Sequence, residues 1–187
     1  MVFSTPHPIK ERKVRVAVVG CGRISGKHFD AIDKHSGHLE LVGVCDNNPE
    51  RLSSAERQTR ARGFATLYAL LEQSDADLVV LSSPSGLHAE QTIRIAETGR
   101  HVMTEKPMAT RWRDGVRMVE ACDRACVTLL VVEQNRRNST LQLLKRAVAQ
   151  KRFGRIYMVV INVFWTRPQD YYDMDAWRGT WEFDGGA

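Results

Sequence analysis

Gly20 and Gly22 open a loop directly after the apolar run Val14 to Val19, and Asp46 follows the next apolar run, Leu39 to Cys45. These residues stand where a dinucleotide fingerprint G-x-G-x-x-G wants them, with Ser25 in the third glycine slot. The chemistry of that motif is steric. Its first glycine makes the tight turn out of the strand, its second lets backbone N–H groups approach a pyrophosphate, and its third lets helix and strand pack closely. Gly20 and Gly22 meet the two demands that concern the ligand, with Arg23 and Ile24 completing the loop as cofactor contacts. Ser25 takes the packing position as a small residue, and Gly26 beside it is expected to supply the lost backbone freedom. Asp46 can accept hydrogen bonds from the adenosine ribose hydroxyls and repels a 2′-phosphate, which favours NAD over NADP. Any tight turn between strand and helix can use two glycines, and an aspartate can simply cap a helix. The sequence of apolar strand, loop, helix and acid-ended strand favours the dinucleotide.

The elements that must position these residues alternate between apolar β-branched runs and helical patterns, the signature of βαβ units on a parallel sheet. Strands are predicted at Val14 to Val19, Leu39 to Cys45, Leu78 to Ser82, His101 to Thr104 and Thr128 to Val132, with a short one near Gly63-Phe64. The runs are apolar on both faces, as expected when helices cover both sides. Helices are predicted near Gly26 to Lys34, Pro49 to Arg60, Leu67 to Glu72, Leu87 to Thr98 and Arg111 to Arg124. In the fourth of these, Ala89, Ile93 and Ala96 make an apolar stripe and Gly99 sits at the C′ position. Pro49 opens a helix after the cap candidates Asn47 and Asn48. After residue 136 a helix, Ser139 to Gln150, leads into one long predicted strand, Arg155 to Trp165, apolar on both faces. The fold class is therefore α/β: a Rossmann-type doubly wound parallel sheet over residues 1–136, then the beginning of an α+β open-sheet substrate domain over 137–187.

Composition narrows the function. With 43% hydrophobic and 26% charged residues the chain is an ordinary folded protein. It has no apolar run near the roughly 18 residues needed to cross a bilayer and no secretory core at its N-terminus, so a cytoplasmic location and no membrane partner are expected. Net charge of +5 comes from scattered Lys and Arg with acids in nearly every segment; the tightest cluster, Lys145-Arg146 with Lys151-Arg152, reads as a solvated helix end, and no nucleic-acid partner is expected. Cys21, Cys45, Cys122 and Cys126 match no disulfide or paired zinc spacing, so all four are expected reduced and structural. Cys122 and Cys126 fall four apart on a predicted helix, the one conceivable metal half-site; no metal is expected.

Three further stretches, "SSPSGLHAEQTIRIAETGRHVMTEKPMAT" from Ser82, "VVEQNRRNSTLQLLKRA" from Val131 and "WRGTWEFDGG" from Trp177, resemble the Gfo/Idh/MocA oxidoreductases. The signature Glu105-Lys106-Pro107 is the most specific part. More narrowly, "QNRRN" joined to "RFGRIYMV", "NVFWTRPQ" and "WRG" is similar to the WlbA/WbpB group, UDP-2-acetamido-2-deoxy-D-glucuronate 3-dehydrogenases of bacterial lipopolysaccharide O-antigen biosynthesis. The resemblance implies NAD as cofactor and oxidation of the C3 hydroxyl of an acidic UDP-sugar. Lys106 matches the family's signature lysine, the catalytic group that meets the hydroxyl proton, and desolvation beside the nicotinamide would lower its pKa. Ser83, Pro84 and His88 match the segment under the nicotinamide half, though a helix-start histidine without a ligand is the plainer alternative. Glu105 matches a ribose and lysine-orienting position, and Gln134 a nicotinamide contact. Asn135, Arg137, Arg155, Trp165, Arg167 and Arg178 are the implied substrate contacts, guanidinium groups suiting a carboxylate or diphosphate; Tyr171 can stack on a sugar or base.

The family's second signature, a histidine a few residues after the "DGG" segment, has no counterpart, since histidines 7, 28, 35, 38, 88 and 101 all lie upstream. A C-terminally truncated copy of a longer, homo-oligomeric enzyme is therefore expected. Leaving four or five large apolar side chains of Arg155 to Trp165 uncovered forfeits on the order of 10 kcal/mol, so self-association through this segment is expected. Another sugar or inositol dehydrogenase of the family, or an inactive NAD-binding remnant, are the alternative functions.

Overall fold

The computed structural model describes residues 9–185; Met1 to Pro8, Gly186 and Ala187, and with them His7 and the second glycine of the "DGG" segment, lie outside the described residues. Six parallel strands, β1 (Val14–Val19), β2 (Leu39–Cys45), β3 (Arg62–Phe64), β4 (Leu78–Leu81), β5 (His101–Thr104) and β6 (Leu129–Val131), form one sheet in the order β3-β2-β1-β4-β5-β6. The connecting helices are α1 (Ser25–Lys34), α2 (Pro49–Thr59), α3 (Leu67–Gln73), α4 (His88–Glu97) and α5 (Trp112–Arg124). The strand order reverses between β1 and β4, which creates a crevice beyond the carboxyl ends of those strands.

Alternation along β1 explains why both faces are apolar. Ala17 and Val19 join one core with Leu70 of α3, Ile95 and Ala96 of α4 and Cys122 of α5. Val16 and Val18 join the other with Phe29 and Ile32 of α1 and Ala55 of α2. A strand covered twice has no polar face to show. Helix α4 buries Ala89, Thr92, Ile95 and Ala96, so its stripe lies to one side of the predicted one and Ile93 is only half-buried. Asn48 caps α2 as expected, its side chain accepting from Glu50 N–H at 2.9 Å and Arg51 N–H at 3.1 Å. Cys126 lies past the end of α5 at φ 54°, exposed, while Cys122 is buried; the two do not share a helix face, and the described residues contain no cluster of metal-ligating groups. No described helix is long and apolar enough to cross a membrane.

The chain divides into two compact units, Met1–Val132 with Gly179–Ala187, and Glu133–Arg178. Residues 179–185 thus belong with the sheet rather than with the second half, where the sequence pattern puts them. The reason is a backbone contact: Gly86 N–H donates to the Phe183 carbonyl at 2.9 Å, and a Cβ on Gly86 would overlap the Glu182 carbonyl oxygen. The second unit holds α6 (Ser139–Ala149) and α7 (Gln169–Asp173). Arg155 to Trp165 is not a strand. An apolar run becomes a strand only by pairing, and no described strand pairs with this one. Its side chains stand in solvent, Phe164 at 91% exposure.

The amino edge of the sheet is tied by charge. Asp77 accepts from Arg12 at 2.6 and 2.9 Å and from the Arg15 N–H at 2.9 Å. The Arg12 guanidinium, against the opposing effect of burial, holds the Asp77 carboxyl far below the usual carboxylate range, with Arg15 assisting. A carboxyl depressed in the folded state stabilises above its unfolded pKa of about 4 and loses that stabilisation as pH falls. Asp77→Asn is expected to lower the unfolding free energy at pH 7 by about 1 kcal/mol, a modest value because Arg12 is half exposed. In urea titrations the gap between variant and parent should close as pH falls below about 4; a gap constant down to acid pH would contradict this account.

Candidate dinucleotide site

Gly20 adopts φ 91°, a conformation open to glycine. A Cβ there would lie 2.7 Å from the Ser82 carbonyl carbon and from Ser83 N. The first glycine is thus needed for the approach of two strand ends. Ser82 closes the same junction, its N–H donating to Val19 O at 2.8 Å and its hydroxyl to Gly20 O at 2.6 Å. Gly22, by contrast, has no heavy atom within 4 Å of its missing side chain. It presents bare backbone to open space at the start of α1, which is the cradle a pyrophosphate needs.

Ser25 is buried, and its hydroxyl donates to the Gly22 carbonyl at 2.6 Å. The serine therefore fits because it is small and satisfies its own polar group. Gly26 meets nothing within 4 Å and has no positive φ, so the compensating role expected of it is not required. Arg23 and Ile24 are exposed on the loop.

Asp46 lies just beyond β2, only 9% exposed. One carboxylate oxygen accepts from Cys21 N–H at 2.7 Å and the other from Asn48 N–H at 2.8 Å. Each oxygen keeps a lone pair, so the group is held as an oriented acceptor. Burial, with Asp46 beside it, pushes the Cys21 thiol up to about 12, and burial does the same to Cys45. Neither is a reactive thiolate.

On the other side of the crevice, Ser83 and Pro84 follow β4, and Glu105 and Lys106 follow β5. Glu105 N–H donates to Leu81 O at 3.0 Å, which stitches the two strand ends together. Its carboxylate accepts from Lys106 N–H at 3.3 Å and pairs with His28 Nε2 at 3.0 Å. Burial pushes the Glu105 carboxyl up, but the His28 hydrogen bond and charge outweigh it, so the group lies below the ordinary glutamate value. Lys106 is exposed. The desolvation expected of it is not supplied by the unit that carries it.

His88 does something other than face a cofactor from a surface. It is 1% exposed, with Nδ1 3.0 Å from the Pro107 carbonyl and Nε2 2.9 Å from the Ser83 carbonyl. It braces the loop after β5 against the loop after β4. Burial pushes its pKa below the ordinary imidazole value, and the two carbonyls oppose this only in part. The sequence pattern missed His28, Ser82 and the Cys21 N–H as parts of this site. Only a neighbour across the sheet gives them their role.

Gln134, Asn135, Arg137, Arg155, Trp165, Arg167 and Arg178 all lie in the second unit. Within it Arg167 stacks over Trp165 and Tyr171, each at 4.9 Å, and Arg178 over Tyr171 at 4.4 Å and Trp177 at 4.8 Å. Arg178 also pairs with Asp175 at 3.3 Å. The structure brings Trp165, Arg167, Tyr171 and Arg178 together as one cation–π cluster. Gln134, Asn135, Arg137 and Arg155 are exposed.

The two glycines separate by substitution. Gly20→Ala is expected to cost about 2 kcal/mol or more of stability from strain and overlap. Gly22→Ala should stay within about 0.5 kcal/mol of the parent yet weaken NADH binding by about tenfold or more by filling the cradle. Urea denaturation and NADH fluorescence read the two effects. Equal stability losses in both variants would refute the division of labour.

Comparison with known proteins agrees with this fold. A WlbA dehydrogenase from Chromobacterium violaceum, in complex with NADH and UDP-GlcNAcA, is 60% identical with a TM-score of 0.94 over 98% of this chain and 53% of that one. The corresponding complex from Bordetella pertussis is 61% identical with a TM-score of 0.93, over 95% and 53%. D-apiose dehydrogenase of Paraburkholderia graminis is 30% identical over 183 residues, 96% of this chain and 45% of that protein. The chain spans about half the length of the relatives it matches. Residues 14–133 match the Gfo/Idh/MocA oxidoreductase family, NAD-binding Rossmann fold, and the chain belongs to that family.

Proposed function

We propose that the chain forms the NAD-binding part and the lysine-bearing loop of a dehydrogenase that oxidises the C3 hydroxyl of UDP-N-acetylglucosaminuronic acid. The observation that carries this is the convergence of the Gly20–Ile24 loop, Asp46, Ser83 and Glu105–Lys106 on one edge of the sheet, in a chain 60% identical to a WlbA dehydrogenase crystallised with NADH and that UDP-sugar. NAD supplies the hydride acceptor. Asp46 holds a ribose and disfavours a 2′-phosphate. Gly22 admits the pyrophosphate to the start of α1. Lys106 places an amino group at the carboxyl edge of the sheet, where the hydroxyl proton must go as the carbon gives up hydride. Arg167 and Arg178 supply positive charge suited to an acidic substrate. The setting that fits is lipopolysaccharide O-antigen sugar biosynthesis in the cytoplasm, by a homo-oligomer of the relatives' length.

The test is NADH binding by fluorescence, then absorbance at 340 nm on mixing protein, NAD and UDP-N-acetylglucosaminuronic acid. A rise is expected, and Lys106→Met should cut its rate by about a hundredfold or more while NADH affinity changes less than about threefold. Turnover of an inositol or a free sugar in place of the UDP-sugar would move the substrate elsewhere in the family. Failure to bind NADH would overturn the proposal as a whole.

A further inference from the structure

Two carboxylates flank the glycine loop at the carboxyl edge of the sheet, and both are tethered to the β1–α1 segment. Asp46, on the β2 side, is held by Cys21 N–H at 2.7 Å. Glu105, on the β5 side, is held by His28 at 3.0 Å, one turn into α1. The side chains of His28 and Glu105 are 13% and 12% exposed, so their contact is largely shielded from solvent. Asp46 lies on the adenine side of the strand-order reversal, and Glu105 lies past β4 on the nicotinamide side. A buried carboxylate with spare lone pairs at that position is a hydroxyl acceptor of the same chemical kind as Asp46.

We infer that His28 is a positioning residue: it fixes the Glu105 carboxylate as the acceptor for the nicotinamide-side ribose and thereby sets the backbone from which Lys106 projects. The inference rests on the dinucleotide function proposed above. The His28 imidazole is paired with the Glu105 carboxylate at 3.0 Å. It acts through Glu105, whose second oxygen receives the Lys106 N–H at 3.3 Å. A free carboxylate of glutamate samples several rotamers, and the imidazole restricts it to one. The segment that cradles the pyrophosphate thus also sets the geometry of the nicotinamide side.

The test compares the whole dinucleotide with its adenine half. The chain is titrated with NADH and with ADP, as parent, His28→Leu, His28→Gln and Glu105→Gln. His28→Leu is expected to weaken NADH about tenfold while leaving ADP, which lacks the nicotinamide-side ribose, within about twofold. His28→Gln, whose amide can donate to the carboxylate, should recover most of the loss. His28→Leu with Glu105→Gln should be no worse than the poorer single variant, because both remove the same contact. A parallel loss for NADH and ADP, or no loss for either, would overturn the inference, since the histidine would then be only a helix-packing residue or idle. If His28→Leu does not fold, the NADH to ADP ratio of Glu105→Gln against His28→Gln decides in the same way. A parent chain that binds neither compound would instead remove the dinucleotide function, and this inference with it.

Discussion

The ligand edge of the sheet depends on the passage of Gly20 over the Ser82–Ser83 peptide. No side chain fits in that gap, and the Ser82 hydroxyl bonds the Gly20 carbonyl across it. The contact holds the ends of β1 and β4 together where the strand order reverses. Everything at the ligand edge is referred to it. Gly22 and α1 follow directly from Gly20, and Ser83 and the His88 brace follow directly from Ser82. Glu105 is stitched to the last residue of β4 through Leu81 O. A small displacement at Gly20 would therefore move the pyrophosphate cradle and the lysine loop relative to each other.

The two edges of the sheet use charge in opposite ways. At the amino edge, Asp77 is matched by Arg12 and Arg15, and Arg100 donates to the carbonyls of Leu71, Ser74 and Ala76. Those groups are satisfied by the protein itself, so they add stability and leave nothing for a ligand. At the carboxyl edge the acids are held by backbone N–H groups and one histidine, with acceptor capacity left over. These carboxylates are oriented in advance, which lowers the cost of ordering them for the riboses of the proposed dinucleotide.

What was legible in the sequence follows the range of the forces involved. Strands buried on both faces declare themselves as apolar runs, and Asn48-Pro49 announces a helix start because capping acts over three residues. Gly20, Gly22 and Asp46 were legible because a strand, a turn and a strand end fix their places locally. The His28–Glu105 pair was not, since 77 residues separate its members and nothing in either neighbourhood refers to the other. Gly86 gave no sign that its missing side chain admits the backbone of Glu182 and Phe183. Arg155 to Trp165 shows the converse: the pattern of a strand was present, but the property that makes a strand, a hydrogen-bonded neighbour, is not in the pattern. Helix α6 makes the same point, forming on local propensity with none of its residues buried.

Ser25 shows how far a motif can depart from its letters while its physics holds. The third position requires a residue small enough for α1 to sit against the sheet, and any polar atom placed there must find a partner once it is buried. A serine meets the first demand by size. It meets the second because the turn that starts at Gly22 brings that residue's carbonyl within 2.6 Å of the hydroxyl and 3.1 Å of the Ser25 N–H. The same bond fixes the Gly22 peptide, so the substitution orders the peptide that a pyrophosphate must approach. Alanine would fill the space equally well without that bond, and a β-branched valine would add bulk at the tightest point of the turn. The serine is therefore a working member of the loop, and the loop remains a dinucleotide cradle without its third glycine.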